Sequence, residues 1–183
     1  MAFVAVLDAC VLYPFSLRDT LLRLAEREIY VARWSDRILE EVRRNLVEKR
    51  VTEEQASKML EAMREFFPEA EVDGQAIERL EGAMTNDPKD RHVLAAAVAV
   101  RAEGIVTFNL DDFPEDACAP YGVEPLHPDA FMMTLHEIAP AVSAQVVTEQ
   151  AADLTNPPIS RDELVESLRR AGVPQFADAI AGG

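Results

Sequence analysis

Carboxylates stand at the edges of the apolar segments of this chain. Asp8 closes the run "FVAVLD". Asp87 and Asp90 precede the Val- and Ala-rich run from Val93 to Val100, and Asp111 and Asp112 follow the next apolar segment, "IVTF". Glu40 and Glu41 sit within "SDRILEEVRRNLVEKR", whose apolar stripe is Ile38, Leu39, Val42 and Leu46. At about 100° per residue, Glu41 borders that stripe and Glu40 lies nearly opposite, so Glu41 is the one expected to point inward. Carboxylates gathered at one place repel one another, which raises their pKa values and costs stability. A divalent cation removes the conflict, and hard oxygen ligands without Cys or His partners suit Mg2+ or Mn2+. Such an ion can activate a water and stabilise phosphate charge in hydrolysis.

Each acid also has an ordinary reading. Asp87 reads first as a helix cap, and Asp90 in a first turn favours the helix dipole whatever its function. Glu41 taken singly is a solvated helix residue, and at least one of Asp111 and Asp112 is turn chemistry. Asp8 stands apart, because an acid closing a buried strand is unusual without a partner. His92, His127 and His136 follow no ligand spacing and read as structural or exposed; Cys10 reads as a small core residue. The inference therefore rests on convergence, which the secondary structure must supply.

The elements that could supply it are legible. "FVAVLD" is a buried strand from Phe3 to Leu7. Ser16 is expected to cap a helix over "LRDTLLRLAERE", Ser35 or Asp36 a second, and Thr52 with Gln55 a third that Pro68 closes. "QAIERLEGAM" is a weaker fourth. Asp87-Pro88 is the expected start of a buried, Ala-rich helix that Gly104 ends. "IVTF" is a strand and "GVEPL" a short last one. Strands joined by helices imply an α/β fold with a mainly parallel central sheet and helices on both faces. Ligands bind beyond the carboxyl ends of such strands. Asp8 and the Asn109–Asp112 segment lie at that edge, and the crossover helix returns Asp87 and Asp90 to it.

Taken together, Asp8 after the first strand, "SDRILEEV" with Glu41, "DPKDRHVLAAAVA" with Asp90, and "VTFNLDDF" with Thr107, Asn109 and Asp112 resemble the PIN-domain ribonucleases. The closest group is the VapC-type toxins of bacterial toxin–antitoxin pairs. The resemblance covers about residues 3–128 and carries four separate motifs in order. It implies a three-layer sandwich and metal-dependent cleavage of RNA by an acidic quartet of Asp8, Glu41, Asp90 and Asp112. Asp8 and Asp90 would be the foremost direct ligands of Mg2+ or Mn2+. Asn109 and Thr107 would orient a ligand or a water, with Asp87 and Asp111 in support, and Asp111 competes with Asp112 for the place facing the metal. A cognate antitoxin and a homodimer are the partners it implies. A catalytically silent PIN-fold interaction protein is one alternative. A haloacid-dehalogenase-type phosphatase is the other, but it wants a second Asp two residues after the first, where this chain has Cys10.

Composition bounds the rest. With 183 residues, 49% of them hydrophobic, the chain suits a nuclease domain over 1–128 and a helical extension over 129–183. No apolar stretch is long enough for a membrane span. "MAFVAVLDAC" does not read as a signal peptide, and two cysteines without ligand spacing suit a reduced cytoplasmic protein. The net charge of −15 opposes nucleic-acid binding in bulk, but residues 16–50 hold nine basic residues against seven acids, a local +2. Arg18, Arg23, Arg43 and Arg44 are the candidates there for gripping RNA phosphates, against the ordinary reading that they pair with nearby glutamates. In the tail, Asp129 is placed to cap "AFMMTLHEI", and Ser160 with Glu163 forms a capping box. The apolar stretch "FMMTLHEIAPAVSAQVV" would either dock a partner or cover a face of its own domain.

Overall fold

The computed structural model describes residues 2–182. β1 (Val4–Leu7) ends at Asp8, which turns the chain at once into the short helix α1 (Ala9–Leu12). α2 (Phe15–Glu26), β2 (Val31–Arg33), α3 (Asp36–Glu48), α4 (Glu53–Phe66), α5 (Gly74–Glu81) and α6 (Arg91–Ala99) follow. β3 (Gly104–Val106) leads through a 3-10 turn, Leu110–Asp112, to α7 (Glu115–Cys118) and then to β4 (Glu124–Leu126). Four helices complete the chain: α8 (Pro128–Ile138), α9 (Pro140–Asp153), α10 (Arg161–Arg170) and α11 (Pro174–Gly182). The fold is the expected α/β sandwich with added C-terminal helices.

Contacts divide the chain into two compact units. One comprises residues 3–13 and 31–126. Its sheet has the order β2-β1-β3-β4, and all three pairings are parallel. The chain leaves β1 for a neighbour on one side, then returns as β3 on the other. That reversal opens a crevice past the carboxyl ends of β1 and β3, where ligands bind in sheets of this kind. Backbone bonds carry the ladder just beyond the strands: Asp8 N–H donates to Val106 O, and Thr107 N–H to Leu126 O. Asp8 and Thr107 thus emerge side by side at the crevice. α6 packs on β1 and β3. Its residues Val93 to Ala97 are fully buried, and the small alanines permit close approach to the sheet.

The other unit joins residues 14–30 to the chain from His127 onward. It is helical, with α2 packed on α9 and α10, and α8 on α9 and α11. Leu17, Leu21 and Leu24 of α2 are buried, as are Phe131, Met132, Leu135, Val146 and Val147 of the apolar tail. Tyr30 meets Phe131 edge to face at 5.0 Å. A buried polar link reinforces the packing: Thr20 Oγ1 donates to Gln150 Oε1 (2.6 Å), and Gln150 Nε2 donates to Ser16 O (3.1 Å). The tail's apolar side chains therefore cover a face of their own unit, and helix α2 belongs with them although it precedes them by a hundred residues. Truncation after Pro128 removes α9 and α10 from α2 and bares its leucines. The expected product is aggregated, read as void-volume elution in size exclusion; a monodisperse one would contradict this packing.

Several boundaries differ from the sequence reading. Ser16 does not cap α2; Pro14 stands at the cap and Ser16 lies inside the helix. Asp129 does not cap α8. His127 Nδ1 accepts from the Asp129 N–H, while the buried Asp129 carboxylate accepts from Gln175 N–H and Phe176 N–H at the start of α11. Gly104 does not end α6. The helix closes with a Schellman motif in which Arg101, at φ 53°, takes the left-handed position. Its N–H bonds Val98 O, and Ala102 N–H bonds Ala97 O. Gly104 is instead part of β3, and a Cβ there would sit 3.0 Å from Leu126 Cδ1 and from Phe3 Cζ. Close packing, not a turn, requires the glycine. β2 was not foreseen, because "VAR" sits between a turn and the next helix with no apolar run of its own.

Candidate functional site

The site grows from the end of β1. Asp8 is 3% exposed, and its carboxylate is held at both oxygens. Oδ1 accepts from Ala9 N–H (2.7 Å), which makes Asp8 the cap of α1. Oδ2 accepts from Thr107 Oγ1 (2.7 Å) and from the Cys10 thiol (3.4 Å). Thr107 Oγ1 in turn accepts from Asn109 N–H (3.0 Å), and Cys10 Sγ accepts from Phe108 N–H (3.3 Å). One network therefore ties the ends of β1 and β3 around a single carboxylate. Burial pushes the Asp8 carboxyl above its ordinary range, against the opposing pull of the Thr107, Ala9 and Cys10 hydrogen bonds. Burial and the Asp8 charge push the Cys10 thiol up to about 12, so it is neutral, neither a nucleophile nor a soft ligand.

Asp90 reaches the same place by a local device. Asp87 and Pro88 do not begin the helix. They form a turn in which Asp87 Oδ1 accepts from Lys89 N–H (2.9 Å) and Asp87 O accepts from Asp90 N–H (2.9 Å). Proline suits the second position of such a turn, and Asp the first. The helix starts one turn later, with Asp90 at the cap position but making no side-chain cap bond. Its carboxylate is thus not consumed by its own helix. Burial, then the charges of Asp8, Asp112 and Glu41, push the Asp90 carboxyl up to about 6, while His92 pulls it down. Electrostatically, all four members of the quartet meet at Asp90.

Glu41 and Glu40 divide as the helical stripe predicts. Glu40 is exposed and accepts from Arg43 Nη2 (2.6 Å) and Nε (2.8 Å). Glu41 is half-buried, and its Oε1 lies 2.9 Å from Nε2 of the fully buried His92. Sequence spacing gave no sign of His92 in this role, because its partner lies on another helix. Cys10 was missed as well, though its place two residues after Asp8 was a usable signal. Asp112 is half-buried and acts on Asp90, whereas Asp111 and Asn109 are exposed. Asp112 also holds the Asp87 turn, its carbonyl accepting from Asp87 N–H. Among the described residues, no group of three or more His, Cys, Asp and Glu side chains is gathered tightly enough to hold a metal ion by itself.

The four arginines offer less charge than their sequence suggests. Arg18 is 6% exposed, with its guanidinium 5.5 Å from the Phe15 ring centroid, and burial lowers its pKa to about 10. Arg23 is paired with Asp19 (3.1 Å) and Asp153 (2.8 Å). Arg43 is shared between Glu40 and Glu53. Arg44 is exposed, one helical turn from Glu41, and so is Lys89, in the turn that carries Asp90.

Two family models cover most of the chain. That of the PIN domain matches residues 4–111, and that of the VapC50 C-terminal domain matches residues 128–182. A curated protein of Mycobacterium tuberculosis (strain ATCC 25618 / H37Rv) named "Putative ribonuclease VapC50" is 44% identical over 95 residues, which are 52% of this chain and 56% of that protein. The chain thus aligns with little more than half of that relative's length. No solved structure matches. The first match takes in β1, α3, α6 and β3 with Asp8, Glu41 and Asp90, and the second the helices from α8 on: the chain belongs to the PIN-domain family, VapC type.

Proposed function

We propose that this protein is a divalent-metal-dependent endoribonuclease and the toxin of a toxin–antitoxin pair. The observation that supports the reading best is the Asp90 carboxyl, raised first by burial and then by the charges of Asp8, Asp112 and Glu41 together. Repulsion of this kind is a standing cost that a bound cation removes. The donor set is hard oxygen throughout, which suits Mg2+ or Mn2+. Asp8, Asp90, Glu41 and Asp112 are the residues that would hold the ion.

The chemistry such an ion supplies when bound is neutralisation of phosphate charge and activation of a water. The protein's part is positioning. Thr107, Cys10 and Ala9 N–H fix the Asp8 carboxylate, so its remaining lone pairs point one way without losing rotamer freedom during the reaction. The Asp87 turn aims Asp90, and Asp112 braces that turn through its carbonyl. Arg44 and Lys89 are the exposed cations nearest in sequence to Glu41 and Asp90, and would meet phosphates flanking the scissile bond.

The deciding experiment is cleavage of a mixed pool of folded RNAs with Mg2+, Mn2+ or chelator, beside thermal melting under the same conditions. Cleavage only with metal, and a Tm raised by several degrees at millimolar Mn2+, are expected. No shift and no cleavage would leave a catalytically silent member of the family. Asp112→Asn is expected to weaken cleavage at least about tenfold and Asp111→Asn to leave it nearly unchanged, since Asp112 alone of the two acts on Asp90. Equal rates would remove that distinction.

A further inference from the structure

We infer that His92 is a positioning residue that sets the direction of the Glu41 carboxylate and so tunes metal affinity; the inference rests on the metal reading above. His92 is 0% exposed and is the one polar side chain in the run His92–Ala97 of α6, with Val93, Leu94 and the three alanines buried beside it. Neither ring nitrogen has an aligned hydrogen-bond partner among the described residues. The group close to Nε2 is Glu41 Oε1, at 2.9 Å.

A buried ring N–H without an aligned acceptor costs stability, and a leucine of similar volume at this position would not. An imidazole kept there against that cost is suited to something other than packing. Its position supplies the use. His92 lies two residues past Asp90 in the first turn of the same helix, so it is fixed relative to that acid, while Glu41 comes from α3. A small rotation of the Glu41 carboxylate brings Oε1 into line with Nε2–H. That bond couples the two helices through the acids themselves. It leaves Glu41 Oε2 for the ion and stops the side chain from swinging out to solvent. Groups that orient ligands in this way typically change metal affinity by about 10- to 100-fold when removed.

The test is titration of the intact, RNA-free protein with MnCl2, following free Mn2+ by electron paramagnetic resonance. His92→Leu is expected to weaken Mn2+ binding about 10- to 100-fold while leaving the metal-free Tm unchanged or higher. A residue with only a packing role would show the reverse, a lower Tm and full affinity. His92→Gln keeps an N–H donor at about the distance of Nε2 and is expected to bind within a few-fold of wild type. In a Glu41→Gln background, His92→Leu should cost nothing further. Should the leucine variant not fold, His92→Asn, whose amide is too short to reach Glu41, carries the same expectation. Full affinity in His92→Leu or His92→Asn, or an undiminished loss in the Glu41→Gln background, would overturn the role. Failure of the wild type itself to bind Mn2+ would overturn the metal reading beneath it.

Discussion

Asp8→Asn and Asp90→Asn should each lower metal-dependent RNA cleavage by more than about a hundredfold while the protein stays folded. Asn caps a helix as well as Asp does, so Asp8→Asn retains the bond from Ala9 N–H. At the other position its amide NH2 faces Thr107 Oγ1, which accepts there instead of donating. What it loses is a charge that burial already disfavours. Asp90→Asn goes further, because its effect on stability has a predictable pH dependence. The Asp90 carboxyl is raised from 3.8 to about 6 in the folded protein. Between those values the folded state holds a proton that the unfolded chain has released, so stability falls as pH rises through this window. Below about pH 4 the carboxyl is neutral in both states and the penalty vanishes. In chelator, therefore, Asp90→Asn should match wild type at pH 4 and exceed it above pH 6. Asp90 is half-buried and solvent screens part of the effect, so the gain is about 1 kcal/mol, a few degrees in Tm. Excess Mn2+ should erase the advantage by stabilising wild type alone. Full cleavage by either variant, or an Asp90→Asn protein less stable than wild type at pH 7, would contradict the site.

Glu41→Gln should reduce cleavage at least about tenfold, and Glu40→Gln should leave it within about twofold of wild type. The two residues are adjacent on α3 and differ only in direction. Glu40 is exposed and bound to Arg43, a screened surface pair whose loss leaves the acid cluster as it was. Glu41 borders the buried stripe, stands against His92, and repels the charge of Asp90. The comparison controls for helix propensity and for net charge, since both variants remove one carboxylate from the same helix. Single-turnover rates at saturating Mg2+, set beside circular dichroism of each variant, would decide it. Equal losses would mean that the face of the helix does not select the residue.

The sequence by itself determined the parallel α/β architecture and offered the acids from which the family resemblance selects a quartet, with Asp111 and Asp112 competing for one place. These readings depend on local patterns. Asp8 follows a short buried strand, Glu41 borders an apolar stripe, and Asp90 and Asp112 flank the Ala-rich helix and the strand after it. The capping boxes at Thr52 and Ser160 were legible for the same reason, because each lies within a single turn. The tertiary structure alone decided the long-range matters. Cys10 touches Asp8 locally, but its bonds to Thr107 and Phe108 exist only because β3 brings those residues beside it. His92 faces Glu41 only because α6 and α3 pack as they do. Asp129 looks like a cap for its own helix but serves one that begins 45 residues later, since burial leaves its carboxylate the unpaired N–H groups of α11. Arg18, Arg23 and Arg43 carry charge in the sequence that folding buries or pairs. Helix α2 lies in the PIN-domain segment by chain position, yet its leucines find their apolar partners in the C-terminal helices. A pattern of residues fixes which side of an element is apolar. Which other surface meets that side depends on contacts between residues far apart in the chain.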